Sequence, residues 1–460
     1  MTLQAIDSVQ TQRGFLRWIE SHWWLYALGV FFRLLLELAY KGFVVPVYES
    51  SGFWLVENAG KYFESWVLYV GLLLFLPASA RRPSDFLISA AFFAFIAPLL
   101  VFYGFADASR WAMYCVLLQY AIMCVLPVGR PVRLPALKQG PATALWLSIA
   151  GIIVATGWMI ASGALATFNL NLDAVYNFRE DASSTLNVGV LSYIIVWVTT
   201  VCGPIVLMLA LRDRRRMLAL GIVALHVFWF GITSHKAVLF YPALVVFLNF
   251  LFKRSRALSL IPIGLSFAVL VSLISYYATD SLFLSGMFVR RVFFVPPQLT
   301  FTYYEYFELN PLVYWSNSFL SGFIDYPYDE SVPLVIGKYL NQPNAWANSS
   351  FFSTGYMHAG LLGVVIYGFL AGALLKALDS LISHQVPLWM MLSVVIVPFF
   401  ILFTSADLTT ALLTHGLGFA VFMLYLMKLP REARKEETWT PPPGAEFGAK
   451  QKGVSATCAG

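Results

Sequence analysis

The 460-residue sequence predicts an all-α polytopic integral membrane protein with about twelve transmembrane helices and one large loop on the non-cytoplasmic side. Three observations predict it. Hydrophobic residues make up 59% of the chain and charged residues only 12%, with a mean hydropathy of +0.72, too little polar surface for a water-soluble globule. The apolar residues fall in near-continuous runs of roughly 16 to 24, the length of helical spans, whereas barrel strands would alternate over about 10. Finally, the basic residues gather in alternate connecting segments, as insertion with Lys and Arg retained inside requires.

The spans read as 23–40, 64–79, 86–105, 111–129, 142–163, 187–210, 217–233, 237–252, 257–277, 351–375, 387–404 and 408–427. Residues 1–22 form a cytoplasmic N-terminus without an evident cleavable signal, since the first apolar segment carries Arg33 and Glu37 and continues for a full span. Those two residues stand four apart on one helix face and are expected to neutralise each other. With the N-terminus inside, 21 of the 30 basic residues fall in cytoplasmic segments and 15 of the 24 acids fall in or beyond the membrane on the other side. Both termini are then cytoplasmic, and the net charge of +6 reflects topology rather than a nucleic-acid surface. Cys115, Cys124 and Cys202 lie in spans and Cys458 in the tail, so no disulfide is expected in the outer loops. The tail, 428–460, has the composition of a disordered segment.

Three outer segments exceed simple connectors: 41–63, 164–186 and 279–350, the last with 17 aromatics among its 72 residues. Half of those rings suit an interfacial belt or a loop core, and the rest suit the faces of sugars. Nine basic residues escape the inside bias: Arg33, Lys41, Lys61, Arg110, Arg179, Lys236, Arg290, Arg291 and Lys338. Arg179 opens an Arg-Glu-Asp run, and Arg290 and Arg291 form a pair. A guanidinium fork binds phosphate oxygens bidentately and stays charged, so Arg179, Arg290 and Arg291 are candidate diphosphate ligands. Loop anchoring or pairing with a nearby acid is the competing account of each. Ser234, His235 and Lys236 make the turn between spans seven and eight, where Lys236 either snorkels or assists an anion and His235 is a further candidate. Glu305, Asp325 and Lys338 complete the candidates of the large loop, although Asp325, Asp329 and Glu330 lack the regular pattern of a calcium loop. His358, about two turns into the tenth span, carries a ring that changes charge near neutral pH, which suits acid–base work as well as a hydrogen-bonded helix position. The chain has no Walker lysine loop, dinucleotide glycine fingerprint, zinc spacing or nucleophile elbow between strand and helix.

The stretch Gly231 to Lys236, then Arg290-Arg291 through Val295-Pro296, then Asn348 through Phe351 to Tyr356-Met357 and Gly360 to Gly363, resembles the Wzy O-antigen polymerases in order and spacing over 160–425. The first four spans match that family only in hydropathy. The resemblance implies a GT-C-like polymerase/ligase architecture in the bacterial inner membrane, with the active site facing the periplasm and no metal or other cofactor. It implies substrates that are undecaprenyl-diphosphate-linked oligosaccharide repeat units, the growing chain being moved as a block onto the next unit with release of undecaprenyl diphosphate. Membrane lipids, a chain-length regulator and a flippase are the implied partners. The family carries loop arginines followed about eleven positions later by glycine; here Gly189 stands ten after Arg179, and Phe301 occupies the place eleven after Arg290. Arg290, Arg291 and Arg179 are then expected to bind diphosphate with help from Lys236, and His358 or a loop acid to take the acceptor proton, with Arg290 and Arg291 counted among the catalytic groups. An O-antigen ligase, a flippase or transporter for the lipid-linked unit, and a non-enzymatic scaffold are the alternatives, although no internal repeat of the kind transporters show is visible.

Overall fold

A computed structural model describes residues 21–132, 134–170, 189–383 and 386–428, and every segment of regular structure among them is helical. Arg179 and the disordered-tail expectation for 429–460 lie outside the described residues. Helix α1 covers 22–48, with a wide turn at Tyr40–Val44, and is followed by α2 (Ala59–Leu74), α3 (Pro83–Phe105), α4 (Arg110–Val125) and α5 (Gly140–Ala161). Next come α6 (Val190–Arg212), α7 (Arg216–Thr233), α8 (Lys236–Phe252), α9 (Leu260–Thr279) and α10, which covers 282–309. The chain then forms α11 (Val332–Tyr339), α12 (Phe351–Leu381), α13 (Leu388–Thr404), α14 (Leu408–Leu413) and α15 (Leu417–Leu426).

Six of these, α3, α5, α6, α7, α9 and α12, are long and apolar enough to cross a membrane, and α4, α8, α13 and α15 are shorter apolar helices. Helices close every backbone hydrogen bond within the segment, as hydrocarbon demands. The wide turns in α1, α3 and α6 each precede a proline, at Pro46, Pro98 and Pro204, whose missing N–H disturbs the regular ladder.

One end of the bundle is basic. Ala80 N–H donates to Arg256 O and Leu258 N–H to Ala78 O, Arg82 reaches Gly129 O, Lys376 reaches Leu126 O, and Lys428 donates to Leu134 O and Ser380 O. Here Lys376 and Lys428 reach Leu126 O and Ser380 O, carbonyls at the ends of α4 and α12 that would otherwise lack donors. The opposite end holds the 49–57 segment, the α7–α8 turn and most of 311–350, tied by Gln298 Nε2 to Ser51 O and by Val56 N–H to Phe105 O.

Segment 279–350, expected as a loop, is in large part helical: α10 buries Val289, Phe293, Phe294, Tyr303 and Tyr304, and α11 lies within it. Six of its 17 aromatics, Phe293, Phe294, Phe301, Tyr303, Tyr304 and Phe307, are buried, Tyr303 and Phe307 in one cluster with Val313, Val332 and Ile336, whereas others such as Phe319, Phe323 and Trp346 are exposed. Segment 408–427, expected as a single span, is broken between α14 and α15 at Gly416 (φ +80°), and the ten residues of α15 reach only about 15 Å.

Of the basic residues that escape the basic end, most are accounted for by partners. As expected, Arg33 pairs with Glu37, its Nε donating to Glu37 Oε1 at 3.0 Å; Arg33 is fully buried, and its other nitrogens reach Ser65 O and Oγ while Trp66 lies 4.4 Å below. Lys61 Nζ sits 2.7 Å from Asp107 and holds that carboxyl below the usual range, chiefly through their hydrogen bond. Arg110 meets Glu64 at 3.0 Å, Lys338 meets Glu330 at 2.7 Å, and Lys41 lies 4.4 Å over the Phe105 ring.

Candidate functional site

The site is built around a break in α12. Ala359 (φ −148°) and Gly360 (φ +57°, ψ −140°) interrupt the helix, so Phe351–His358 is a half-helix folded back on the long part that follows. Two glycines allow it: a Cβ on Gly363 would overlap Gly355 O, and one on Gly355 would lie 2.9 Å from Gly363 O. Close backbone approach through small residues is the usual device for helix contacts in lipid. The long part is anchored against α4 at Gly368 and Gly372, where an added Cβ would lie 2.9 Å from Gln119 O and 2.7 Å from Leu126 Cβ.

At the end of the half-helix stands His358, fully buried and stacked on Trp315 with ring centroids 5.0 Å apart and planes 12° from parallel. The 313–315 strip lies along the break: Val313 N–H donates to Met357 O, Tyr314 N–H to His358 O, and Trp315 N–H to His358 Nδ1 at 3.1 Å. Tyr314 (φ +49°) and Trp315 (φ +57°) both adopt left-handed backbone, which costs about 1–3 kcal/mol each and persists where surroundings impose it, commonly at functional sites. Because Nδ1 accepts a hydrogen bond, the proton of the neutral ring is assigned to Nε2.

His358 Nε2 faces Asp407 Oδ1 at 3.3 Å, without the alignment of a hydrogen bond. Tyr367 O–H donates to the same oxygen at 2.8 Å and accepts from Trp315 Nε1–H at 3.0 Å. Asp407 Oδ2 accepts from Thr409 N–H at 2.9 Å and from the Thr409 hydroxyl. The carboxylate is therefore the N-cap of α14, held from four directions.

Asp407 opens onto a cavity of about 580 Å³, within the ~300–1,000 Å³ of small-molecule sites. Its polar wall carries Thr199, Thr200, His235, Asn317, Asn348, Ser349, Thr354, Ser405, Thr410 and His415, while Tyr241 and Tyr303 supply aromatic faces. No cluster of His, Cys, Asp and Glu with the geometry of a metal site occurs among the described residues.

The cavity recruits the expected residues unevenly. His235 lines it, and Lys236 follows as the first residue of α8. His358, expected to meet substrate, is sealed behind the wall and reaches the cavity only through Asp407. Arg290 lies 4.4 Å over the Tyr48 ring and 5.6 Å from Phe53, with a buried Nε that has no hydrogen-bond partner among the described residues, and Arg291 is exposed. Both are remote from the cavity: Tyr303, the α10 residue that lines it, is 13 positions beyond Arg290, close to 20 Å at about 1.5 Å per residue. Glu305 accepts from Tyr339 O–H, Asp325 is exposed, and Lys338 pairs with Glu330, none of them in the cavity wall. Sequence reasoning passed over Asp407, although it is the only Asp, Glu, Lys or Arg in the apolar stretch 388–427. An ionisable group so placed is a functional candidate by default.

Fold and site define an all-helical, membrane-embedded protein with a polar cavity and a carboxylate fixed in its wall. No family model, curated protein or solved structure matches the chain.

Proposed function

We propose that the protein is a membrane glycosyltransferase acting on lipid-linked oligosaccharides, and specifically an O-antigen polymerase of the Wzy kind. The observation that carries this reading is Asp407, a carboxylate oriented by Tyr367, Thr409 and His358 at the wall of a cavity rich in hydroxyl, amide and aromatic groups. Such a wall offers both donors and acceptors to sugar hydroxyls and flat faces to pyranose rings.

In the proposed reaction the acceptor hydroxyl oxygen forms a bond to the anomeric carbon of the growing chain as the bond from that carbon to the lipid diphosphate breaks. The diphosphate leaves with the electron pair, and the acceptor proton passes to Asp407. The leaving group supplies the driving force, so the protein's tasks are to align two substrates and stabilise developing charge. His358 keeps Asp407 in place rather than taking the proton itself. Among the cations expected to bind diphosphate, Lys236 is adjacent in the chain to the cavity residue His235, whereas Arg290 and Arg291 stand apart on α10. Their part is best understood as meeting the diphosphate of a lipid carrier outside the cavity, and Arg179 retains its expected role.

The reading places the cavity end in the periplasm and the basic end in the cytoplasm of a bacterial inner membrane. The test is complementation: in a polymerase-deletion strain, Asp407→Asn expressed at the normal membrane level leaves single-repeat lipopolysaccharide. A full-length ladder from that variant excludes Asp407 as the base. The Arg290→Ala/Arg291→Ala double variant should likewise lose the ladder.

A further inference from the structure

We propose that a second cavity, at the basic end between α5, α6 and α7, binds the headgroup of an anionic membrane phospholipid. The cavity measures about 630 Å³, and among the described residues its polar lining consists of Arg212, Asp213 and Arg215. Its other walls are apolar, with Leu145 from α5, Val206 and Leu209 from α6, and Leu218 from α7.

The turn between α6 and α7 sets up the charge. Arg214 takes a left-handed conformation (φ +58°) and Arg215 N–H donates to Ala210 O at 2.9 Å, which folds the turn tightly and brings Arg212 and Arg215 to one opening. Arg212 forms a forked pair with Asp213, its Nε at 2.7 Å and a second nitrogen at 3.2 Å. That pair neutralises Asp213, and Arg215 forms no ion pair with a described residue. The lining therefore keeps a net positive charge, and a guanidinium fork matches phosphate oxygens.

The surroundings specify a lipid rather than a soluble anion. The lining residues Leu145 and Leu218 are 36% and 42% exposed, so the mouth of the cavity carries apolar surface of the kind acyl chains cover. A phosphodiester at Arg215 would leave its chains along Leu145, Leu209 and Leu218. Basic pockets between helices on the cytoplasmic side of a membrane recognise anionic headgroups in this way. The site is independent of the first cavity, so it stands or falls apart from the transferase reading.

The experiment is lipid titration of the full-length, detergent-purified protein by native mass spectrometry, with phosphatidylglycerol, phosphatidylcholine and inorganic phosphate as probes. The protein should retain phosphatidylglycerol in preference to phosphatidylcholine, and inorganic phosphate should not compete. At about 1 kcal/mol per arginine, Arg215→Gln should weaken that binding about fivefold and Arg212→Gln/Arg215→Gln about 30-fold. Arg81→Gln/Arg254→Gln, which removes charge elsewhere on the same end, should leave it unchanged. Arg212→Lys/Arg215→Lys, which keeps the charge, should recover part of the affinity and guards against a merely misfolded double variant. Equal binding of the two lipids, undiminished binding in the Gln double variant, equal loss in the Arg81/Arg254 control, or displacement by inorganic phosphate would each overturn the proposal.

Discussion

Replacing Asp407 by Asn preserves the size of the side chain and removes one charge. In the native site the two oxygens accept from Tyr367 O–H, Thr409 N–H and the Thr409 hydroxyl and face His358 Nε2. The Thr409 N–H is fixed backbone, so Asn must turn its remaining oxygen there and present its amide to Tyr367 and His358. Tyr367 can reorient its hydroxyl, but the assigned Nε2–H of His358 cannot accept. The Tyr367 hydrogen bond thus loses its charge assistance and His358 Nε2–H loses the anion it faces, together about 1.5–3 kcal/mol of stability. Activity should fall further, by the about 10²- to 10⁴-fold typical of a lost general base, or about 2.7–5.5 kcal/mol of barrier. The assay is the initial rate of polymer formation by purified protein on lipid-linked repeats, paired with thermal unfolding in the same detergent. A variant that is destabilised as predicted yet turns over within about tenfold of the wild type refutes the assignment of Asp407 as proton acceptor.

Other consequences follow from the packing. His358→Ala removes a fully buried ring from the Trp315 stack and orphans the Trp315 N–H, so it should cost about 3–5 kcal/mol by thermal or denaturant unfolding. Gly363→Ala drives a methyl into Gly355 O and should abolish folded protein in detergent by gel filtration, whereas Gly157→Ala, with open space around it, should be silent. Glu37→Gln leaves Arg33 buried without a countercharge and should cost about 3–5 kcal/mol, and adding Arg33→Gln should recover part of that loss in a double-mutant cycle.

The features legible in the sequence were those set by local patterning. The apolar runs 86–105, 142–163, 187–210, 217–233, 257–277 and 351–375 each overlap one of the six long apolar helices, because a span is dictated by about 20 consecutive residues and the solvent around them. The Arg33–Glu37 pair was equally readable, since residues four apart on a helix must meet. The site was not. The fold-back at Ala359 and Gly360 sits in Ala-Gly-Leu-Leu-Gly, which reads like any membrane helix, and the break is fixed by the distant strip Val313–Trp315. Asp407 finds its partners in Tyr367 and His358, 40 and 49 positions away, so no local spacing announces the cluster. The expectation for Arg290 and Arg291 rests on charge and on the family resemblance, and neither says which side chains a bent α10 turns toward a cavity.

The central claim is that this chain by itself joins lipid-linked oligosaccharides. The most direct measurement is to reconstitute the purified protein in bilayers with undecaprenyl-diphosphate-linked repeat units as the only glycan and to follow both products. The account predicts polymer of several repeats together with released undecaprenyl diphosphate, both lost with Asp407→Asn. Transfer only after lipid A core is added would make the protein a ligase, and repeat units that cross the bilayer with no new glycosidic bond would contradict a transferase altogether.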